Sequence, residues 1–511
     1  MNLQHQLGRG RLVVPEQFLE DVGHIVHQVH RVVPDDGDPR TIGVLVLVED
    51  DLFGPLRGDD SGHLSHSARS GARTRLRCPA VSTALLTDHY ELTMLAAALR
   101  DGTAQRRCVF EVFARHLPLG RRYGVVAGTS RLLDAIDSFR FGPAEIDELR
   151  NKQVVDAKTL EWLAAHRFSG DIEGYAEGEL YFPGSPIFTV RGSFAEAVLL
   201  ETLVLSVLNH DTAIASAAAR MVCAAGERPC IEMGSRRTHE EAAVAAARAA
   251  YLAGFAATSN LTTGQRYGVP TTGTSAHAFT LLHDDEEVAF TAQVAALGPH
   301  TTLLVDTYDV LDGIRAAVRV AGPELGAIRL DSGDLGLFTV QARELLDSLG
   351  ARATRIVVTS DLDEYAIAAL AVAPVDGYGV GTSLVIGSGA PTAGLVYKLV
   401  EVDGHPVAKW STGKPSRGGR KYAVRRHNRK GVMTGEVVAT GGPAEALEGD
   451  RGLQVTLVVA GRRADSGSLP LAQLERARAH HRDVMATLPA DGRKLSRGEP
   501  AIDTDFVEIR P

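Results

Sequence analysis

The sequence predicts an α/β fold built on a parallel sheet, with the polar edge of an α/β barrel. Two observations carry this. Apolar runs begin at 301 (TTLLV), 327 (AIRL), 355 (RIVV) and near 376 (DGYGV), at intervals of 26, 28 and 21 residues, and each of the first three runs into a helical pattern. That is the rhythm of βα units. Polar residues follow each run at once: Asp306 to Asp309, Asp331 to Asp334, Ser360 with Asp361, then Gly379, Gly381 and Thr382. In a parallel βα array these residues share the carboxyl edge, where such barrels build their active sites. The pattern points to an enzyme.

Composition narrows the class. The chain has 511 residues, 44% of them hydrophobic, and 63 acidic against 54 basic side chains give a net charge of −9. This is enough apolar surface for a large core, and the acidic balance argues against a general nucleic-acid surface. Eight Lys stand against 46 Arg, with no Lys from 159 to 397, which excludes Schiff-base chemistry in the central half. Cysteines at 78, 108, 223 and 230 have no C-x-x-C spacing and suggest neither a disulfide framework nor a zinc site. The stretch Ala242 to Ala257, the longest that looks apolar, is too short and too weakly hydrophobic to span a bilayer. No signal peptide is visible, and a cytoplasmic, reduced protein is expected.

In chain order, residues 1–80 read as a disordered extension, with nine Arg, no Lys and six His, and one apolar run (Ile42 to Val48) lacking an evident strand partner. Asp88 with Glu91 reads as a capping box opening a helix through Leu99. Short apolar runs and a helical patch (Pro143 to Arg167) lead to a Gly/Tyr/Phe/Pro-rich stretch, 170–192, of short strands. Two helices are expected next, Ala195 to Leu208 and Ala213 to Ala225. Thr238 with Glu241 reads as a second capping box, opening an Ala-rich helix that stops at Gly254. After Gly394, Val396 to Val402, Asp403-Gly404 and Pro406 to Trp410 read as a β-hairpin. The stretch 398–430 holds ten Lys or Arg and two acids, either a solvated face or a surface for polyanions.

The chemistry-bearing groups each admit two readings. Gly379, Gly381 and Thr382 are either a backbone and hydroxyl cradle for phosphate or an ordinary tight turn. Asp331 and Asp334 can hold Mg²⁺ or a sugar hydroxyl, or Asp334 simply caps a helix. Arg329 shares a strand face with Asp331, and an inward Arg calls for a carboxylate or phosphate ligand. His277, after the small-residue run from Gly273, is a structural or a catalytic histidine. Arg236 and Arg237 bind an anion at a helix start or decorate the surface.

Taken together in order, LLTDHYELTM (85–94), FEVFARHLP (110–118), RYGVVAGT (122–129), GYAEGELYFPGSPI (174–187), LLET (199–202), EMGSRRTHE (232–240), GTSAHAF (273–279), IRLDSGDL (328–335), YGVGTSL (378–384) and the YKLVEVDGHPVAKWSTGK hairpin resemble nicotinate phosphoribosyltransferase from about 85 to 425. The resemblance implies a type II phosphoribosyltransferase: an irregular α/β barrel with an open-faced α/β domain built from both chain ends. The expected divisions are 1–80 extension, 81–192 first part of the open-faced domain, 193–395 barrel, and 396–511 its second part, with the basic hairpin at 396–425. It implies a homodimer with interface active sites. The implied reaction joins nicotinate to 5-phosphoribosyl 1-diphosphate, giving nicotinate mononucleotide and diphosphate, with ATP hydrolysis and Mg²⁺. Carried over by position, Tyr90, Thr274 and Arg329 match nicotinate-binding residues and Thr382 a phosphoribosyl diphosphate residue, with Gly379, Gly381 and Arg237 expected beside it. His277 matches the transiently phosphorylated histidine. Asp331 and Asp334 are the candidates for ordering ribose and metal. His89 departs from the Leu or Lys usual there.

Nicotinamide phosphoribosyltransferase is the nearest rival, but a neutral amide needs no Arg counter-ion. Quinolinate phosphoribosyltransferases are shorter and need further cations. A catalytically dead barrel is disfavoured by intact His277, Arg329 and the GVGT turn, and an aldolase-type barrel by the missing lysines.

Overall fold

The computed structural model describes residues 30–32, 43–45, 82–410, 416–465 and 469–509. The chain divides into two compact units, Met1–Leu76 and Arg77–Pro511. In the first, strands His30–Val32 and Gly43–Leu45 pair antiparallel, so the apolar run at 42–48 does have a partner. The rest of the expected disordered extension lies outside the described residues.

The second unit holds a six-stranded parallel sheet in the order Thr302–Leu304, Ala327–Leu330, Arg355–Val358, Gly377–Val380, Cys230–Glu232 and Ala257–Thr258. Each of the four strands read from the sequence is present. Helices Val310–Ala321, Leu335–Ser348 and Glu364–Ala369 return the chain between the first four. The strands are short and almost wholly buried, as expected of a sheet covered on both faces. The sheet curls into part of a barrel.

A seven-stranded antiparallel sheet takes Arg107–Ala114, Asp171–Tyr175 and Phe188–Ser193 from early in the chain, and Leu395–Val402, His405–Pro406, Gln454–Val459 and Arg462–Arg463 from late. Strand Leu395–Val402 lies against Arg107–Ala114, so both chain ends build one sheet. Asp403 and Gly404 form the hairpin turn with φ of +49° and +80°, although its second strand is only His405–Pro406. Helix Glu201–Ala225 joins the two cores. Leu203, Val204 and Leu208 pack into the antiparallel-sheet core, while Ile214, Ala218 and Met221 pack into the barrel core.

Several local readings are corrected. The expected pair of helices is Phe194–Val198 followed by one continuous helix, Glu201–Ala225. Two polar residues in the gap between the expected helices lie inside the continuous one with buried partners: Asp211 pairs with Arg131 at 2.9 Å, and Thr212 bonds the backbone of Ala127. Neither capping box forms. Glu91 accepts from the Thr202 amide and hydroxyl, and the cap before Glu240–Leu252 is His239, with Glu241 paired to Arg266. Among the described residues the helical stretch long and apolar enough to cross a membrane is 194–225 rather than 242–257, and two-thirds of its 18-residue apolar window is buried in the protein. The basic stretch is only in part a solvated face: among the described residues Lys409, Arg417, Arg429 and Lys430 are exposed, whereas four others are paired with acids. Lys421 pairs with Glu111, Arg425 with Glu436 and Arg420 with Glu173 at 2.6–2.7 Å, and Arg426 pairs with Asp450.

Candidate active site

The carboxyl ends of the parallel strands gather one polar cluster. Asp306 and Thr307 follow Thr302–Leu304, Arg329 and Asp331 close Ala327–Leu330, Thr359 and Ser360 follow Arg355–Val358, and Gly381 and Thr382 follow Gly377–Val380. Across the open part of the sheet, the loop from Gly273 delivers Thr274 and His277, the latter opening helix His277–Leu281.

Asp306 is the hub. Its side chain is 1% exposed, and its Oδ2 accepts from the Asp331 amide (2.8 Å) and the Ser332 hydroxyl (2.7 Å). Its Oδ1 is buried without a hydrogen-bond partner and lies 3.8 Å from His277 Nε2. Asp331 Oδ2 is 3.9 Å from the same nitrogen, and His277 Nδ1 bonds the Thr307 hydroxyl at 3.2 Å. The imidazole therefore sits with two carboxylates on one side and a hydroxyl on the other. The sequence placed Asp306 in a cluster but gave it no role. Its burial and its orphan oxygen are what mark it.

Arg329 donates from Nη1 to the Thr274 hydroxyl at 2.6 Å, while its Nε is buried with no partner. Burial pulls its guanidinium below the ordinary arginine range, and Asp331 and Asp306 oppose this. With Nη1 engaged, the Nε–Nη2 edge is the fork that remains for a planar anion. Arg236, one residue before the predicted Arg237, is the arginine whose charge Arg329 feels. Arg237 itself is exposed in the short turn Ser235–Arg237 and pairs with none of the described residues.

Asp331 accepts a hydrogen bond from Thr359 on its other oxygen, and so is held in the cluster. Asp334 is exposed, and its Oδ1 accepts from the Leu337 amide at 3.0 Å and caps helix Leu335–Ser348. Among the described residues no group of three or more His, Cys, Asp or Glu is arranged to hold a metal. Asp331, with one carboxylate oxygen free of hydrogen bonds, could offer that oxygen to a divalent cation.

At the glycine turn, both readings made of it have content. A Cβ on Gly379 would lie 2.5 Å from Thr359 Cγ2 and 2.8 Å from Met233 Sδ, so close packing already demands glycine there. Gly381 then precedes Thr382, the first residue of helix Thr382–Val385. Next to this turn, Ser360 has φ +112°, a non-glycine residue in the left-handed region, and strain of about 1–3 kcal/mol is characteristic of functional edges.

Tyr90 stands apart from this group. On helix His89–Asp101, it is 45% exposed and neighbours Glu91, Glu201 and Thr202. Burial first, then Glu201, pushes its hydroxyl up to about 12.

Comparison with known proteins adds an independent line. The family model of the nicotinate phosphoribosyltransferase N-terminal domain matches residues 85–209. A nicotinate phosphoribosyltransferase of Mycobacterium tuberculosis is 63% identical over 432 residues, covering 83% of this chain and 95% of that protein. The Bacillus subtilis nicotinate phosphoribosyltransferase is 38% identical over 332 residues, 63% of this chain and 67% of its own. Among solved structures, human nicotinic acid phosphoribosyltransferase aligns with a TM-score of 0.72 at 25% identity, covering 83% of this chain and 97% of that one.

Proposed function

Because the chain belongs to the nicotinate phosphoribosyltransferase family, enzymes of pyridine nucleotide synthesis, we propose that it couples transfer of a phosphoribosyl group onto nicotinate to ATP hydrolysis through a phosphate carried by His277. The observation that carries the nicotinate reading is Arg329, a largely buried guanidinium with an unpartnered Nε at the carboxyl edge. A carboxylate on the pyridine satisfies that fork with two charge-assisted bonds, whereas a neutral amide leaves the charge uncompensated. Thr274 fixes the guanidinium plane.

The backbone of Gly379 to Thr382 and the Thr382 hydroxyl receive the 5-phosphate. Asp331 orients a ribose hydroxyl and would be the residue to hold Mg²⁺, which when bound would supply charge neutralisation on the diphosphate leaving group. As diphosphate leaves, positive charge grows at the anomeric carbon, and the fixed carboxylates of Asp331 and Asp306 oppose it. The pyridine nitrogen supplies the electron pair for the new C–N bond.

For coupling, an imidazole nitrogen of His277 attacks the γ-phosphorus of ATP, and the bond to the ADP oxygen breaks. Asp306 and Asp331 stabilise the imidazolium character that develops. Water later cleaves the P–N bond, releasing phosphate. The protein acts as a cytoplasmic homodimer, in which Tyr90 covers the pyridine of the neighbouring chain's site. Support comes from Tyr90, Leu85 and Leu86, large apolar side chains 43–60% exposed in the single chain. The test is turnover with phosphoribosyl diphosphate and Mg²⁺, comparing nicotinate, nicotinamide and quinolinate, with and without ATP. Nicotinate alone should react well, and ATP should increase its use. Equal use of nicotinamide would overturn the Arg329 reading.

A further inference from the structure

A cavity of about 320 Å³ adjoins the glycine turn but shares none of the residues assigned above. Its walls carry Arg121, Arg220, Arg497, Glu364, Tyr365 and Ser383. The residue after Thr382 thus faces this cavity, while Thr382 belongs to the turn assigned to substrate.

Arg121 is the anomaly. It is 5% exposed, and its side chain donates only to the backbone carbonyls of Gly387 (2.5 Å) and Ser388 (3.5 Å). Among the described residues no carboxylate lies within ion-pair distance of it. The neighbouring buried cation is already neutralised: Arg220 donates from Nε to Glu364 at 3.0 Å and from Nη2 to the Tyr365 hydroxyl and the Leu495 carbonyl. Glu364 is fully used, since its other oxygen accepts from the Ser388 hydroxyl. Asp363, the remaining acid on the wall, is turned to the amides of Tyr365 and Ala366 as a helix cap. Arginine does not shed its proton when buried, as lysine can, so a guanidinium without a counter-ion beside an open cavity calls for an anion. Burial and then the like charge of Arg220 press Arg121 toward the neutral form, the charge of Glu364 opposes them only in part, and a bound anion would counter what is left.

We propose that this cavity is a phosphate-binding site separate from the catalytic cluster, with Arg121 as its buried anchor. A tetrahedral phosphate matches the guanidinium fork, and Arg497 at the exposed rim adds a second cation. The Ser383 hydroxyl adds a further donor, while the Tyr365 hydroxyl is already donated to the Leu495 carbonyl. The cavity is larger than one phosphate, so the group arrives either free or on a small organic body such as a nucleoside.

Crystals of the full chain holding phosphoribosyl diphosphate, soaked in selenate, read the cavity directly through anomalous scattering. A selenium peak within hydrogen-bond reach of Arg121 is expected, and its absence would overturn the proposal. In solution, labelled orthophosphate should bind at one site per chain that saturating phosphoribosyl diphosphate does not displace. Arg497→Gln and Ser383→Ala, both away from the buried ion pair, should weaken that binding at least fivefold, and Arg121→Met should abolish it. If Arg121→Met does not fold, the two wall variants decide alone, and unchanged affinity in both would refute the site. Displacement by AMP at lower concentration than by phosphate identifies an esterified phosphate as the ligand. Displacement by phosphate only identifies the free ion. The selenate result does not depend on the catalytic proposal, so the two fail separately.

Discussion

Replacing Arg329 with alanine tests how the pyridine is recognised. In the structure the guanidinium gives one hydrogen bond to protein, Nη1 to the Thr274 hydroxyl at 2.6 Å, and its Nε is buried without a partner. Truncation therefore costs the fold little while removing the whole fork offered to a carboxylate. Hydrogen bonds to charged groups contribute about 1.5–3 kcal/mol each, and a bidentate pair loses roughly 2–4 kcal/mol in total because the two are not additive. That corresponds to a weakening of nicotinate of roughly 30- to 700-fold. The assay is steady-state kinetics with each substrate varied at saturation of the other, supported by a thermal melt. KM for nicotinate should rise within that range while KM for phosphoribosyl diphosphate moves less than about threefold. Arg329→Lys should fall between, since an ammonium keeps the charge but not the planar fork. Equal losses for both substrates would assign Arg329 to phosphate or to folding, and the account of nicotinate selectivity would fall.

Three further outcomes follow from other parts of the molecule. Gly379→Ala places a methyl 2.5 Å from Thr359 Cγ2 and 2.8 Å from Met233 Sδ. Overpacking of about 1–3 kcal/mol should appear as a raised KM for phosphoribosyl diphosphate, and unchanged kinetics would remove the turn from the site. Glu286 is pushed from 4.5 to about 7, by burial first and then by Asp306, Asp309 and Asp312. The folded protein thus holds a proton that the unfolded chain has lost between about pH 4.5 and 7, and stability falls as pH rises through that window. Glu286→Gln should raise the melting temperature relative to wild type at pH 8 and change it little at pH 4; an equal gain at both would contradict the assignment. Finally, a chain beginning at Val81 should stay folded and active in the nicotinate assay, because the family motifs begin at Leu85 and the core at Ala84. Insoluble or inactive protein would place residues 1–80 in the fold.

What the sequence revealed and what it hid divide along one physical line. Parallel strands buried on both faces read as apolar runs, so four of the six were visible together with the polar residues that terminate them. Cys230–Glu232 and Ala257–Thr258, unlike the equally short Thr302–Leu304 inside the run TTLLV, have polar residues at or beside their ends and leave no apolar run. Errors arose where a polar residue has a distant partner. Glu91 looked like a capping residue, yet it serves Thr202, 111 positions away. Asp211 falls in the gap between the two expected helices and is the buried mate of Arg131. The same holds at the site. His277, Arg329 and Asp331 could be named from motifs, but the orphan Asp306 Oδ1 that faces the imidazole is a fact of burial. Asp334 was one carboxylate of a promising pair, and its local hydrogen bond to Leu337 shows it to be a cap. The folded chain does not add Tyr90 to this cluster.

The central claim is that His277 carries the phosphoryl group that couples ATP to transfer. Incubation with γ-labelled ATP and Mg²⁺, followed by digestion and mapping, addresses it most directly. The account predicts an acid-labile, base-stable label on the peptide containing His277, and loss of both label and ATPase activity in His277→Ala, with slow, ATP-independent formation of the mononucleotide retained. A label that persists in His277→Ala, or a variant that keeps full stimulation by ATP, would contradict it.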